Sequence, residues 1–203
     1  MLIRSKKVWS SSQFLPLTIE VEDNKIIAIY DYDHFDKVDY DFGDERILPG
    51  FIDVHTHGAY GYDTNDVNED GLRNWTKNIV SEGVTSFLPT TITQTEEVLL
   101  KAVANVAKVY DEGYEGAEIL GIHFEGPYLD EEKRGAQPLS CIQTPSVEQF
   151  KKFQKASNNL IKLITIACEK DVDYKLTKYL VSQGIRVSLG HSACNYKESY
   201  LAF

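Results

Sequence analysis

From Ile47 to the end of the chain, apolar segments of strand length alternate with amphipathic segments of helix length. The apolar segments are unbroken runs rich in Ile, Val, Leu and Phe, a pattern typical of parallel strands covered on both faces. Alternation of this kind predicts an α/β fold. The predicted strands span residues 51–57, 85–91, 118–125, 161–169 and 186–191. The predicted helices lie near residues 70–81, 95–111, 146–157 and 173–182, and another begins near residue 195.

Two architectures accommodate these strand–helix units, an open doubly wound sheet and part of a (β/α)8 barrel. No glycine-rich phosphate loop follows the first predicted strand, which disfavours the nucleotide-binding form of the open sheet. Polar residues gather at the carboxyl ends of the strands, where barrel active sites lie. We therefore predict a partial (β/α)8 TIM barrel of about five βα units. A complete barrel needs about 250 residues, so we expect these 203 residues to be the N-terminal portion of a longer protein.

Residues 1–47 have the pattern of β-structure rather than of βα units. Residues 17–21 alternate between faces, residues 22–25 have turn chemistry, and residues 26–30 form a second apolar run, which together predict a hairpin. A few short strands cannot bury a core of their own. We therefore predict a small β-domain over residues 1–47 and the barrel portion over residues 48–203.

The charge and the cysteine content restrict the partners and the compartment. A net charge of −10 disfavours nucleic acid and anionic membrane surfaces as partners. Three cysteines are few and odd in number, which favours free thiols in a reducing compartment over a disulfide framework. The N-terminus has no signal-peptide pattern, and no apolar run has the length of a bilayer span. We expect a soluble, cytoplasmic protein.

The first predicted strand ends in a pair of histidines, His55 and His57, followed at once by Gly58. Residues i and i+2 of a strand point to the same face, so the two imidazoles lie about 7 Å apart along the chain. Two neutral nitrogen donors at the end of a strand suit a metal ion. The alternative is a chance pair, because so short a motif is common.

Two later strands also end in residue types that bind metals. His123 and Glu125 end the third predicted strand and His191 ends the fifth, so four of the five histidines lie at strand carboxyl ends. Glu125 is the strongest candidate ligand, because a carboxylate after an apolar strand is costly to desolvate without a cation. A salt bridge is the alternative for Glu125, and a satisfied core histidine is the alternative for His191. We expect His123 to support a ligand rather than to bind the metal itself.

Several motifs resemble those of one enzyme superfamily. The stretch Pro-Gly-Phe-Ile-Asp-Val-His-Thr-His-Gly at residues 49–58 is similar to the opening signature of the metal-dependent amidohydrolases. The resemblance narrows to the N-acetylglucosamine-6-phosphate deacetylase family and extends from about residue 2 to the end of the chain. The motifs that carry this more specific resemblance are Gly-Val-Thr-Ser-Phe-Leu-Pro-Thr at 83–90, His-Phe-Glu-Gly-Pro-Tyr at 123–128, Gly-Ala-Gln-Pro at 135–138 and Gly-His-Ser at 190–192.

The resemblance implies a set of metal ligands. Glu125 and His191 correspond to metal ligands of the family, and a further histidine ligand is expected beyond residue 203. His55 and His57 match the pair that holds a second ion in some members. One or two divalent ions per subunit are implied, and nitrogen and oxygen ligands allow Zn, Fe, Mn, Co or Ni.

The resemblance also implies the substrate side of the site. Ala136 and Gln137 fall where the family contacts the amino sugar, and many members have histidine at the position of Gln137. The acid/base aspartate and the phosphate-binding residues are expected downstream, so no catalytic residue is assigned in this chain. Strands downstream would complete a small β-sandwich with residues 1–47. One phosphate contact comes from a neighbouring subunit in the family, which implies a homodimer at full length.

We expect metal-dependent hydrolysis of the acetamide of N-acetylglucosamine 6-phosphate, which releases glucosamine 6-phosphate and acetate. The 203 residues alone are expected to be inactive, because the acid/base aspartate lies outside them. Two alternatives remain open at this point. One is another amidohydrolase that acts on a cyclic amide, and the other is a catalytically silent metal-binding fragment.

Overall fold

A computed structural model describes residues 1–202 of the chain. It divides into two compact units, Met1–Gly50 and the remainder from Phe51 onward. Strands and helices combine in a mixed α/β fold, as predicted. Every helix of the described residues belongs to the second unit.

The first unit contains one sheet, with strands β1 (Leu2–Ser10), β2 (Gln13–Glu22), β3 (Lys25–Asp31), β4 (Tyr40–Asp41) and β5 (Arg46–Ile47). The order β3-β2-β1 is antiparallel, and the short strands β4 and β5 both pair with β1 in parallel. The predicted hairpin is confirmed, with Glu22 opposite Lys25 across the turn.

The second unit contains the strands β6 (Phe51–Thr56), β7 (Gly58–Ala59), β8 (Tyr62–Asp63), β9 (Val84–Pro89), β10 (Glu118–Ile119), β11 (Ile122–Glu125), β12 (Ile161–Ile166) and β13 (Arg186–Leu189). Two parallel sheets have the orders β10-β9-β6 and β11-β12-β13, and β7 and β8 form a separate antiparallel pair. A single parallel bridge joins Thr90 to His123. The order of the parallel strands in space therefore follows their order in the sequence.

The third predicted strand, residues 118–125, is interrupted in the structure, because β10 pairs with β9 whereas β11 pairs with β12. The interruption includes Gly121, whose φ is 149°. A Cβ atom at this position would lie 2.4 Å from Cγ of Lys162 and 2.7 Å from the carbonyl oxygen of Leu160. Only glycine permits so close an approach. The continuous apolar run therefore hides a point where the chain changes its pairing partner.

Strand β6 differs from the other parallel strands in its exposure. It lies at the edge of its sheet, and Phe51, Ile52 and Val54 are each at least half exposed. Strand β11, in contrast, is buried along its whole length. The prediction that the strands are covered on both faces is therefore wrong for β6, because Phe51 and Ile52, which point to opposite faces of the strand, are both exposed within residues 1–202.

The helices are α1 (Glu69–Ile79), α2 (Glu96–Glu112), α3 (Val147–Ala156), α4 (Lys175–Ser182) and α5 (Tyr196–Ala202). The first three begin close to their predicted positions, and each is capped by a polar side chain, from Asn68, Thr95 and Ser146 respectively. Helix α4 begins later than predicted, because Asp173 and Tyr174 have positive φ values that a helix cannot contain.

The helices cover the buried strands with large apolar side chains. The core of the second unit includes Trp75, Phe87, Leu99, Phe124 and Phe150, all without exposed surface. Burial of this kind is the main favourable contribution to folding. No helix within residues 1–202 has the length and apolar character needed to cross a membrane.

Candidate metal centre

Near the carboxyl ends of β6, β11 and β13, four of the predicted residues come together, with three histidines around the carboxylate of the fourth. Glu125 is the last residue of β11 and is only 3% exposed. Its Oε1 lies 3.7 Å from Nε2 of His55 and 3.2 Å from Nε2 of His191. Its Oε2 lies 3.3 Å from Nε2 of His57. Three imidazole rings therefore direct the same nitrogen at one buried side chain.

Strand geometry accounts for this convergence. His55 lies within β6 and His57 directly follows it, and their ring centroids are 5.1 Å apart on one side of the strand. His191 lies on the loop that follows β13, and its carbonyl oxygen accepts a hydrogen bond of 2.9 Å from the backbone N–H of Asp130. Parallel strands end at a common edge, so residues distant in sequence meet there.

The carboxylate and the imidazole rings of this cluster shift the pKa values of Glu125 and His57. Burial by itself raises the pKa of Glu125, because the charged form loses water. The hydrogen bond with His57 and the nearby rings of His55 and His191 outweigh burial, so the pKa of Glu125 lies below its ordinary value. The hydrogen bond with Glu125 raises the pKa of His57. The cluster therefore favours an ionised carboxylate that faces positive charge.

Backbone carbonyls fix which nitrogen of two rings carries the proton. Nδ1 of His57 lies 3.2 Å from the carbonyl oxygen of Thr90, and Nδ1 of His191 lies 2.9 Å from that of Lys133. A carbonyl oxygen only accepts, so each Nδ1 must donate. In a neutral ring, Nε2 is then a bare acceptor that faces the Glu125 carboxylate, another acceptor. This arrangement requires a cation or an additional proton between them.

The donor set fits a divalent metal ion. Ligand atoms of His55, His57 and Glu125 lie within 4.8 Å of one another. Imidazole nitrogen and carboxylate oxygen are ligands that zinc and related transition metals accept. The carbonyl groups behind His57 and His191 are the partners that metal-binding histidines usually have. The individual ligand assignments remain predictions.

His123 has both ring nitrogens occupied by protein partners. Nδ1 lies 2.9 Å from the carbonyl oxygen of Val54, and Nε2 lies 2.8 Å from the hydroxyl of Thr165. Its ring centroid is 4.8 Å from that of His55, in an edge-on arrangement. Burial lowers the pKa of His123 to about 4, so the ring is neutral near pH 7. In this arrangement His123 packs beside His55, and both of its ring nitrogens are engaged by protein partners. Its supporting role remains a prediction.

The two residues predicted to contact substrate have different environments. Ala136 is exposed on the loop after β11, next to Gly135, where an added Cβ would lie 3.7 Å from Cε1 of His191. Gln137 is only 4% exposed. Its Nε2 donates to Oε2 of Glu125 over 2.6 Å, and its Oε1 accepts from the backbone N–H of Thr93 over 2.6 Å. The structure thus shows Gln137 as a buried partner of Glu125, while substrate contact by either residue remains a prediction.

A sequence profile of the amidohydrolase family matches residues 46–176, more than half of the chain. The chain belongs to the amidohydrolase family. The matched region contains three of the four converging residues, His55, His57 and Glu125, whereas His191 lies beyond it. The superfamily resemblance of the strand-end motifs is confirmed by this match.

The relatives and the solved structures to which this chain is similar have the same enzyme name. N-acetylglucosamine-6-phosphate deacetylase of Bacillus subtilis is 41% identical over 152 residues, which cover 73% of this chain and 38% of the relative. The enzyme of the same name from Lysinibacillus sphaericus is 36% identical over 183 residues, 90% of this chain and 47% of the relative. The chain therefore spans less than half the length of these curated relatives.

Two crystal structures of deacetylases of that name superimpose on the whole chain. The structure from Mycobacterium smegmatis is 25% identical with a TM-score of 0.92, and the chain covers 53% of it. The structure from Pasteurella multocida is 30% identical with a TM-score of 0.84, and the chain covers 54% of it. This amidohydrolase therefore has the fold of the corresponding part of those enzymes.

Sequence reasoning missed the residues that orient the amidohydrolase cluster. Thr90, Lys133 and Thr165 hold histidine rings through a carbonyl or a hydroxyl, and Thr93 holds Gln137 through its N–H. A weak signal was present for Thr90 and Thr165, because both lie in or next to predicted strands that end at the site. Lys133 contributes only a backbone carbonyl, which no side-chain pattern reveals.

Proposed function

We propose that this chain supplies the metal-binding part of an enzyme that hydrolyses the acetamide of N-acetylglucosamine 6-phosphate to glucosamine 6-phosphate and acetate. The observation that carries the proposal is the convergence of three histidine Nε2 atoms on the buried carboxylate of Glu125. The names of the relatives from Bacillus subtilis and Lysinibacillus sphaericus support this substrate. The chain is 36–41% identical in sequence to these two relatives. It is also similar in fold, over its whole length, to the deacetylase from Mycobacterium smegmatis.

The proposal includes an architecture. Strands β6, β9, β10 with β11, β12 and β13 would form about five units of a (β/α)8 barrel. Their parallel pairing in sequence order supports this, as does the open, apolar edge of β6. Residues 1–47 would form part of a small β-sandwich domain, and residues 48–203 the N-terminal portion of the barrel domain.

In this proposal Glu125 and His191 hold a divalent ion, and His55 and His57 hold a second one where two are bound. Zn, Fe, Mn, Co and Ni all suit these donors. Amidohydrolases are metal-dependent, and such an ion polarises a carbonyl group and lowers the pKa of water. The chain's own contribution is orientation, because the carbonyls of Thr90 and Lys133 direct two of the rings.

The substrate side of the proposal rests on the exposed loop beside His191. Ala136 would contact the amino sugar, and Gln137 would act through Glu125 or at the edge of the sugar. No residue of this chain is proposed as the general acid or base. We further propose a cytoplasmic homodimer that acts on a small phosphorylated sugar, without nucleic acid or membrane as partner, which the net charge of −10 supports.

A chimera tests the proposal. This chain would replace the matching N-terminal segment of the Bacillus subtilis relative, and acetate release from N-acetylglucosamine 6-phosphate would be measured with added Zn²⁺ or Mn²⁺. We expect activity in the chimera. Loss of a residue that only supports a metal ligand usually costs about 10–100-fold in activity. Glu125→Gln should lower acetate release by more than this, because Glu125 is proposed as a ligand itself. His34→Gln changes a histidine outside the cluster and serves as the matched control.

The competing functions give different outcomes. A folded, metal-loaded chimera that opens a cyclic amide such as hydantoin but releases no acetate would replace the proposed reaction with the cyclic-amide alternative. A folded chimera that binds metal and hydrolyses neither compound would favour the catalytically silent fragment. Unchanged acetate release and metal content in Glu125→Gln would remove Glu125 from the site.

A further inference from the structure

A second cluster of reactive side chains lies apart from the histidines. Cys168 lies two residues after the end of β12, and Cys194 lies on the loop after β13. The two thiol sulfurs and a carboxylate oxygen of Glu169 all lie within 4.8 Å of one another. Both cysteines are free thiols. Residues that are 26 positions apart in sequence are thus brought within reach of a single covalent bond by the parallel pairing of β12 and β13.

Glu169 holds the two segments together independently of the thiols. Its Oε2 accepts a hydrogen bond of 2.5 Å from the hydroxyl of Ser192, and its Oε1 accepts one of 2.7 Å from the backbone N–H of Ala193. These bonds to a carboxylate fix the loop against the end of β12. The approach of the two sulfurs is therefore a property of the fold and does not depend on a bond between them.

The two thiols differ in access and in acidity. Cys168 is 1% exposed, whereas Cys194 is partly exposed. Burial raises the pKa of Cys168 to about 12. Hydrogen bonds with the hydroxyls of Ser192 and Ser199 lower the pKa of Cys194. Because the thiolate is the nucleophile, an oxidant from solvent meets Cys194 first.

We propose that Cys194 and Cys168 form a peroxide-sensitive dithiol that closes to an intramolecular disulfide. The Cys194 thiol ionises and its thiolate attacks one oxygen of hydrogen peroxide, which is the oxidant. The O–O bond breaks, and the hydroxide that leaves takes up the proton released by the thiol, so that sulfenic acid and water form. The Cys168 sulfur then displaces the hydroxyl group of the sulfenic acid, which leaves as water with the proton of the Cys168 thiol. In sum, two thiols and one peroxide give one disulfide and two waters, with the two electrons passing from sulfur to the peroxide.

The disulfide would restrain the loop that presents His191. Cys194 lies three positions after His191 on the same loop, and the S–S bond would add a covalent link to the two hydrogen bonds from Glu169. Closure requires the sulfurs to approach to about 2.05 Å, which side-chain rotation from a separation within 4.8 Å must supply.

Mass spectrometry of the chain after treatment with hydrogen peroxide tests the proposal. The samples contain EDTA, and free thiols are alkylated under denaturing conditions before digestion. We expect loss of two hydrogens, a peptide pair linked through Cys168 and Cys194, and a fully alkylated Cys141. Cys141 is the internal control, because it does not belong to the cluster of Cys168, Glu169 and Cys194. Its sulfur lies 3.8 Å from Oε1 of Gln94 instead. The reductant dithiothreitol should restore all three thiols.

Two variants separate the roles of the two cysteines. Cys168→Ala should stop at a sulfenic acid on Cys194 that a dimedone probe captures, and Cys194→Ser should leave Cys168 reduced. Cys141→Ser should close the disulfide as the unmodified chain does. The wild-type peptide map does not depend on the folding of any variant. Three outcomes would overturn the proposal. Cys194 could be over-oxidised while Cys168 stays free, or the disulfide could include Cys141. The pair could also stay reduced because it retains a zinc ion in the presence of EDTA.

Discussion

The amide nitrogen of Gln137 donates a hydrogen bond of 2.6 Å to Oε2 of Glu125, the carboxylate on which three histidines converge. The amide oxygen of Gln137 accepts an equally short bond from the backbone N–H of Thr93. Because both ends of the amide are used, it cannot turn over without breaking two hydrogen bonds inside a buried site. Gln137 therefore helps to fix the direction of the carboxylate by holding Oε2 in place.

Gln137→Met should weaken metal binding. Methionine has a similar length and no amide, so Glu125 would keep its charge and lose the donor that orients it. We expect the dissociation constant for Zn²⁺ or Mn²⁺ to rise about 10–100-fold, the usual effect of removing a partner of a metal ligand. Isothermal titration calorimetry on the metal-free chain measures this.

The matched control for this change is Gln154→Met. Gln154 is a part-buried glutamine of α3 whose Nε2 donates to the carbonyl oxygen of Ile161 over 3.3 Å, away from the cluster. Its replacement should leave the dissociation constant unchanged. An equal loss of affinity in both variants would show that glutamine removal acts through general stability, and the orienting role of Gln137 would then be wrong.

The sequence was sufficient to find the four converging residues because each lies in a strand or within two residues of its carboxyl end. His55 and His57 share a face through the period of a strand, and Glu125 and His191 follow apolar runs whose ends meet at one edge. These inferences require only the direction of each strand. Only His191 depends in addition on the path of a loop, because it lies two residues beyond β13.

The features that were missed depend on close approach in three dimensions. Gln137 reaches Glu125 because the loop after β11 folds back, and no periodicity reports that path. The interruption at Gly121 follows from contact with Lys162 and Leu160, which are distant in sequence. The exposure of Phe51, Ile52 and Val54 depends on which parts of the chain pack against β6, whereas the composition of β6 is that of a buried strand.

Divalent metal should stabilise the folded chain, and a chelator should remove the effect. Binding to the folded state alone adds about 2.7 kcal/mol to the free energy of unfolding when the free metal is 100 times its dissociation constant. Urea unfolding with Zn²⁺ and then with excess EDTA measures the difference. Glu125→Gln should abolish the increase, whereas Glu132→Gln, the same change at an exposed carboxylate, should retain it. Equal stabilisation of both variants would place the ion elsewhere.

Asp130 should make the folded chain more stable at neutral than at acid pH. Its carboxylate lies 2.8 Å from Nζ of Lys170 and accepts a bond of 2.8 Å from the N–H of Glu132. The hydrogen bond with Lys170 is the main cause that holds the pKa of Asp130 below its ordinary value. A lowered pKa in the folded state gives stability that is complete above the unfolded pKa of about 3.9 and is lost as the pH falls further.

Asp130→Asn tests this dependence through urea unfolding from pH 7 to pH 2.5. The difference in free energy of unfolding between the unmodified chain and the variant should be largest near pH 7 and should shrink below about pH 4. Asp173→Asn, which removes an exposed carboxylate, is the control and should change the free energy by less than about 0.5 kcal/mol. A difference for Asp130→Asn that grows toward low pH would contradict the assignment.

Gly126 should tolerate no side chain, because it combines a left-handed backbone with a close contact. Its φ is 72°, and an added Cβ would lie 1.9 Å from Oγ1 and 3.0 Å from Cβ of Thr93, a residue without exposed surface. Gly184 has nearly the same φ, 73°, and open space around the Cβ position. Alanine at either position has the backbone cost of about 1–2 kcal/mol. Only Gly126→Ala adds a steric conflict, worth about 1–3 kcal/mol more in a packed interior.

The comparison of Gly126→Ala with Gly184→Ala therefore isolates packing from backbone conformation. Chemical unfolding should place Gly126→Ala below Gly184→Ala in free energy of unfolding by that steric increment. Metal affinity should fall for Gly126→Ala alone, because the displaced Thr93 also donates to Gln137, the partner of Glu125. Equal stabilities with equal affinities would show that the segment after β11 relaxes freely. The close packing of Gly126 on Thr93 would then have no part in holding the cluster.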